Sequence, residues 1–127
     1  MGKVLNISEL EKLLMDLKAK NIVFTNGCFD ILHPGHIHIL EVSKSYGDIL
    51  FVGVNSDDSI KKLKGPTRPK ISQNDRLRIL SSIKYVDYVL LFEEETPLKL
   101  IEKIKPNFLV KGGDYSLEDI VLSLIHI

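Results

Sequence analysis

A single cysteine, Cys28, stands in 127 residues. One thiol excludes an internal disulfide and any zinc site built from several thiolates, and it fits a reducing compartment. No apolar run approaches the roughly 20 residues that a bilayer-spanning helix needs. The start Met1-Gly2-Lys3 leads into a polar amphipathic segment rather than a signal peptide, so a soluble, cytoplasmic chain without a membrane partner is expected. Neither sign of charge is in excess: 17 basic residues face 17 acidic ones, which argues against bulk nucleic acid as the main partner. Two phosphate-binding fingerprints are also missing. Without G-x-G-x-x-G the first turn is not that of a dinucleotide dehydrogenase, and without G-x-x-x-x-G-K-[ST] the chain is not a P-loop ATPase. No internal repeat or low-complexity segment divides it. With 44% hydrophobic residues, residues 1–127 are expected to make one domain around one core.

What is present is organised around Asn21 to His36. Ile22, Val23 and Phe24 suit a strand covered on both faces, and Gly27 supplies a tight turn. Pro34 and Gly35 punctuate the chain before Ile37, Ile39, Leu40 and Val42, so a helix should open near His33 to His36 and run to about Tyr46. Three residues apart, the two histidines project to one side of its first turn, where unpaired N–H groups and the helix dipole favour an anion. Ahead of this unit, Leu10, Leu13, Leu14 and Leu17 predict an amphipathic helix from Ser8 to about Lys20, with Ser8-Glu9-Leu10-Glu11 as a capping box.

Asp48 to Asn55 reads as a second buried strand, completing a βαβ unit that puts Asn55-Ser56-Asp57-Asp58 at the ligand edge beside His33 and His36. Lys61, Lys62, Lys64, Arg68 and Lys70 follow with no acid among them and with Gly65, Pro66 and Pro69 between, which predicts a cationic loop able to close over a triphosphate. Lys64 and Arg68 are its candidate phosphate contacts. Ser72 caps a helix whose buried stripe is Leu77, Ile79, Leu80 and Ile83, and Arg76 near its start offers a fork of donors. Val86 to Phe92 is a third strand; Glu93-Glu94-Glu95 and Thr96-Pro97 lead into a helix that Pro106 ends. Asn107 to Val110 is a fourth strand, running into Lys111-Gly112-Gly113-Asp114-Tyr115. The expected fold is α/β, a Rossmann-like doubly wound parallel sheet whose four strands, counted along the chain, lie in the order 3-2-1-4. An incomplete edge and the apolar tail Val121 to Ile127 predict self-association as a dimer.

Thr25-Asn26-Gly27-Cys28-Phe29-Asp30-Ile31-Leu32-His33-Pro34-Gly35-His36 resembles the signature of the cytidylyltransferase-like nucleotidyltransferases, in which Phe-Asp precedes His-x-Gly-His. Val54-Asn55-Ser56-Asp57, Lys64 to Pro69, the helix with Arg76, and Leu109 to Tyr115 extend the likeness. They make the chain similar to the adenylyltransferase domains that join D-glycero-β-D-manno-heptose 1-phosphate to AMP in making ADP-heptose for lipopolysaccharide. The resemblance implies transfer of AMP from ATP to a sugar 1-phosphate, with Mg2+ carried mainly by the phosphates. It implies a nucleotide site of Thr25, Asn26, Gly27, Cys28, Phe29, Asp30, His33, His36, Lys111, Gly112, Asp114 and Tyr115. Catalysis falls to His33, His36, Lys64 and Arg76, and acceptor contacts to Asn55, Asp57, Lys64 and Arg68. No metal ligand is expected of the chain itself: two histidines with one cysteine and no third ligand at suitable spacing do not make a zinc site.

Cys28 reads as a small, half-buried residue rather than a nucleophile, since the reaction needs no covalent intermediate. Asp30 could bond to its own turn or orient a histidine. His38, His126 and Arg78 read as structural. Family members usually continue with a fifth strand and a Ser/Thr-rich phosphate turn, and the tail beyond Ile120 lacks them, so the fifth strand is expected to be missing. A domain standing apart from the sugar kinase to which it is often fused implies a separate kinase partner. The alternatives are a cytidylyltransferase or flavin-nucleotide adenylyltransferase on the same scaffold, or a nucleotide-binding module without catalysis.

Overall fold

In the computed structural model, which describes residues 3–94 and 96–110, the apolar residues of each central strand divide by parity. Side chains of a strand alternate between faces, and a sheet covered on both sides needs both sets to be apolar. From β2 (Ile22–Gly27), Ile22 and Phe24 join Leu10, Leu17, Leu100, Ile101 and Ile104, while Val23 joins Leu40 and Leu80 on the other face. From β3 (Ile49–Asn55), Phe51 goes to the first set and Leu50, Val52 and Val54 to the second. The helices α1 (Ile7–Asp16) and α5 (Leu98–Ile104) therefore cover one face, and α2 (Pro34–Ser45) and α4 (Gln73–Ser81) the other. Phe24 and Phe51 are fully buried, and truncating either to alanine should cost about 3–5 kcal/mol.

All strands are parallel. With β1 (Lys3–Leu5), β4 (Tyr88–Phe92) and β5 (Phe108–Val110), the order is β1-β4-β3-β2-β5. The four expected strands occur in the expected 3-2-1-4 order, as β4-β3-β2-β5. The expectation of a sheet short of its fifth strand is corrected: among the described residues the sheet has five, and the additional one is Lys3–Leu5 at the β4 edge. It gave no sequence signal because only Leu5 of its three residues is buried. The stretch beyond Ile120, where the family's usual fifth strand is expected to be missing, lies with the apolar tail outside the described residues.

One helix begins elsewhere than expected, and another occupies a segment expected as loop. Asn6, not Ser8, caps α1: its side chain accepts from the Glu9 N–H at 2.9 Å, while Glu9 accepts from the Asn6 N–H at 3.1 Å. The cationic segment is not a loop throughout, because α3 (Asp57–Lys64) takes its first half. Ser56 caps that helix, Asp57 and Asp58 fill its first turn, and Lys61, Lys62 and Lys64 its last, so both ends complement the helix dipole. Gly65 at φ 102° stops it in a conformation that side chains avoid. No helix among the described residues is long and apolar enough to cross a membrane.

Candidate active site

Gly27 lies beside Val54, Asn55 beside Phe92 and Thr25 beside Val110, so the carboxyl ends of the strands share one edge. From β2 the chain builds outward through β3 and β4, then returns to β2's other side with β5. The crevice between the ends of β2 and β5 is thus the switch point where α/β sheets take ligands. Thr25 is buried and donates its hydroxyl to the Val110 carbonyl at 2.8 Å, tying the two strands there.

The turn after β2 is strained. Phe29 holds φ 49°, a left-handed conformation that costs a residue with a side chain about 1–2 kcal/mol. Burial of its ring offsets this: a β-carbon on Gly27 would lie 3.1 Å from the ring, so the ring sits tight against the glycine. Phe29 also contacts His36, with ring centroids 5.6 Å apart.

His33 caps α2, with its Nδ1 accepting from the Gly35 N–H at 3.0 Å. His36 reaches back, its Nδ1 accepting from the His33 N–H at 3.2 Å. The ring centroids are 4.0 Å apart. An imidazole nitrogen that accepts from an amide carries no proton, so in each neutral ring the hydrogen lies on Nε2. The backbone at the helix mouth therefore makes both rings Nε2–H donors, and His33 is exposed. Neither ring is sunk in the core.

Arg76 is the opposite case. It is fully buried, with Nε donating to the Ile71 carbonyl at 3.0 Å, Nη1 to the carbonyls of Cys28 (2.8 Å) and Asn55 (2.6 Å), and Nη2 to Asp57 Oδ1 at 2.7 Å. The expected open fork is instead a strut joining the histidine turn, the end of β3, α3 and α4. Asp57 is correspondingly half-spent as an acceptor contact. Asn55 is also engaged, its Nδ2 donating to Ser59 Oγ at 2.9 Å and its Oδ1 lying 3.8 Å from Cys28 Sγ.

Asp30 does neither of the two things expected of it. Its Oδ1 accepts from the N–H groups of Lys70 (2.8 Å) and Ile71 (2.9 Å), and its Oδ2 from Arg68 Nε at 2.5 Å. Burial pushes its carboxyl up, but the N–H of Ile71, the Arg68 guanidinium and the N–H of Lys70 together hold it below the ordinary range. Lys64 is exposed and makes no ion pair with a described residue, yet its charge is the first to act on Cys28. Burial outweighs that charge and raises the Cys28 thiol, which is half-buried and unsuited to nucleophilic work.

The structure thus gathers Thr25, Gly27, Cys28, Phe29, Asp30, His33, His36, Asn55, Asp57, Arg68 and Arg76 at one edge, with Asn26 in β2 and Lys64 ending α3. Lys111, Gly112, Asp114 and Tyr115 lie outside the described residues. No group of three His, Cys, Asp or Glu able to hold a metal occurs among the described residues, and Asp30 and Asp57 are each taken by an arginine. A divalent ion here would ride on phosphate oxygens and water, as Mg2+ tolerates. Sequence reasoning missed the strain at Phe29, which has no residue-type signal. It also missed the anchor at Asp30, for which the run of cations from Lys61 to Lys70 without a local acid was the available clue.

A family model described as cytidylyltransferase-like matches residues 24–123. The bifunctional protein HldE of Aliarcobacter butzleri is 59% identical over 115 residues, covering 89% of this chain and 24% of that protein. Bifunctional protein HldE of Helicobacter pylori strain P12 is 55% identical over 115 residues, 91% of this chain and 25% of its own length. This chain spans about a quarter of the length of the curated relatives it matches. The crystal structure of the lipopolysaccharide core biosynthesis protein from Thermoplasma volcanium superposes with a TM-score of 0.72 at 36% identity, over 84% of this chain and 85% of that one.

Proposed function

The chain belongs to the cytidylyltransferase-like family, and from that membership and the geometry of its histidine turn we propose that it is a nucleotidyltransferase acting on ATP and a sugar 1-phosphate. An oxygen of the acceptor phosphate attacks the α-phosphorus in line. The bond from that phosphorus to the bridging oxygen of the β-phosphate breaks, and pyrophosphate leaves with the electron pair. Both reactants are anions, so the protein's task is to align them and to stabilise charge gathering on the leaving group.

The observation that carries this reading is the pair of imidazoles whose Nδ1 atoms are both held by backbone N–H groups at one helix mouth. Their Nε2–H groups donate to the phosphate chain, His36 most strongly as pyrophosphate departs, and the positive end of α2 adds to them. Lys64 and the terminal nitrogens of Arg68 neutralise phosphate charge, and Arg76 positions the turn. Thr25 to Phe29 frame the nucleotide, while Lys111, Gly112, Asp114 and Tyr115 complete the nucleoside side. Mg2+ bound to the phosphates would lower their repulsion toward the attacking oxygen.

For the acceptor we propose D-glycero-β-D-manno-heptose 1-phosphate, giving ADP-heptose for the lipopolysaccharide core. The HldE relatives and the structural neighbour, a lipopolysaccharide core biosynthesis protein, support that choice. A sugar kinase that installs the anomeric phosphate, a cytoplasmic location where ATP is held, and a homodimer belong to the same proposal. Pyrophosphate release should be measured with ATP or CTP against heptose 1-phosphate, glycerol 3-phosphate and a flavin mononucleotide acceptor. Release with ATP and heptose 1-phosphate alone is expected; a preference for CTP or for another acceptor moves the chain elsewhere in the family, and ATP binding without release makes it a binding module.

A further inference from the structure

Asp30 is 5% exposed and belongs to the histidine turn, yet every hydrogen bond it makes among the described residues goes to a segment 38 to 41 positions away. One oxygen takes two consecutive backbone N–H groups and the other takes Arg68 Nε. We infer that Asp30 is a positioning residue of the phosphate site: its carboxylate clamps the segment between α3 and α4 to the histidine turn and aims Arg68 at the nucleotide's phosphates. The inference takes the phosphate site proposed above as what Arg68 is aimed at.

Gly65 to Ile71 lies between two helices with no regular structure of its own. Ordering such a stretch when ligand arrives would cost about 1 kcal/mol or more per residue, and a buried anchor orders it beforehand. The Gly65 carbonyl accepting from the Arg68 N–H at 3.3 Å, and the Ile71 carbonyl accepting from Arg76, add to the same restraint. Because Asp30 holds Arg68 by Nε, the two terminal nitrogens have no partner among the described residues, and the side chain is 33% exposed. That is the geometry for a bidentate grip on phosphate. A mobile cationic lid, which the lysines and glycine of this stretch imply, is replaced by a wall built in advance.

The test uses the full-length protein as wild type, Asp30→Asn, Arg68→Ala and the double variant. Trypsin cleavage after Lys64 and Lys70 is followed without nucleotide, and ATP binding by calorimetry. Asp30→Asn should speed cleavage and weaken ATP binding, each roughly tenfold, as expected for losing a charge-assisted hydrogen bond. Arg68→Ala should weaken ATP binding similarly while cleavage stays slow, and the double variant should bind no worse than about twofold below Asp30→Asn, because the two residues act as one unit. Unchanged cleavage in Asp30→Asn, or losses of affinity that add, would overturn the inference. Should Asp30→Asn fail to fold, Arg68→Ala decides alone, with undiminished ATP affinity as the contrary result. A wild type that binds no ATP removes the proposed reaction instead, while the Asp30→Asn cleavage rate still supports or overturns the clamp.

Discussion

His33 and His36 on one side, and Arg76 on the other, serve the same sheet edge and spend their donors in opposite ways. The imidazoles use Nδ1 to accept from the backbone, which fixes Nε2 as a donor. Arg76 gives its donors to three carbonyls and one carboxylate and keeps no exposed surface. Formal charge would have ranked the arginine above two neutral rings as a phosphate contact. Geometry reverses the order, because a donor already satisfied inside the protein does not strengthen when charge develops on a substrate.

That contrast can be broken most sharply at Arg76. Arg76→Ala takes a donor from the carbonyls of Ile71, Cys28 and the buried Asn55 and uncouples Asp57, so unfolding free energy should fall by about 3–5 kcal/mol, read by urea denaturation. A variant of undiminished stability would remove the strut. His36→Ala should do the reverse: turnover, measured by pyrophosphate release, falls roughly 100- to 1,000-fold, while stability changes by about 1 kcal/mol or less because the side chain of His33 still caps the helix. Equal turnover would strip His36 of its role.

Asp30 sharpens the comparison through pH. Its folded carboxyl titrates below the ordinary value of 3.8, so its contribution to stability is complete above that value and fades as pH falls through the lower folded one. The stability gap between wild type and Asp30→Asn should therefore be open at pH 7 and narrow below about pH 4; a gap independent of pH would mean that the N–H groups of Ile71 and Lys70 and the Arg68 guanidinium do not favour the carboxylate. The smallest effect is expected at Cys28. Its thiol is kept protonated by burial, and Cys28→Ser should hold activity within about twofold. Loss of turnover in a folded Cys28→Ser protein would reinstate the thiol as a catalytic group.

Much of this was legible in the chain because it is local. Continuous burial from Ile22 to Phe24 and from Leu50 to Val54 is written in apolar runs, and the Pro34-Gly35 punctuation places His33 and His36 at a helix mouth. What was misread depends on partners far along the chain. The burial of Arg76 needs carbonyls 48 and 21 positions away, and Asp30 meets Arg68 at a separation of 38. Lys61 to Lys64 read as loop because a short helix with Ser59 and Ile60 as its buried residues shows little apolar stripe. Lys3–Leu5 was missed because three residues carry too little alternation to be recognised.

The protonation pattern of the two rings can be read directly. Long-range nitrogen–proton correlation spectra of the histidines, at a pH where the rings are neutral, should show hydrogen on Nε2 in both His33 and His36, with those nitrogens shifting when ATP is added to saturation. Hydrogen on Nδ1 in either ring, or Nε2 signals that stay still in saturating ATP, would contradict a phosphate site built from backbone-held imidazoles.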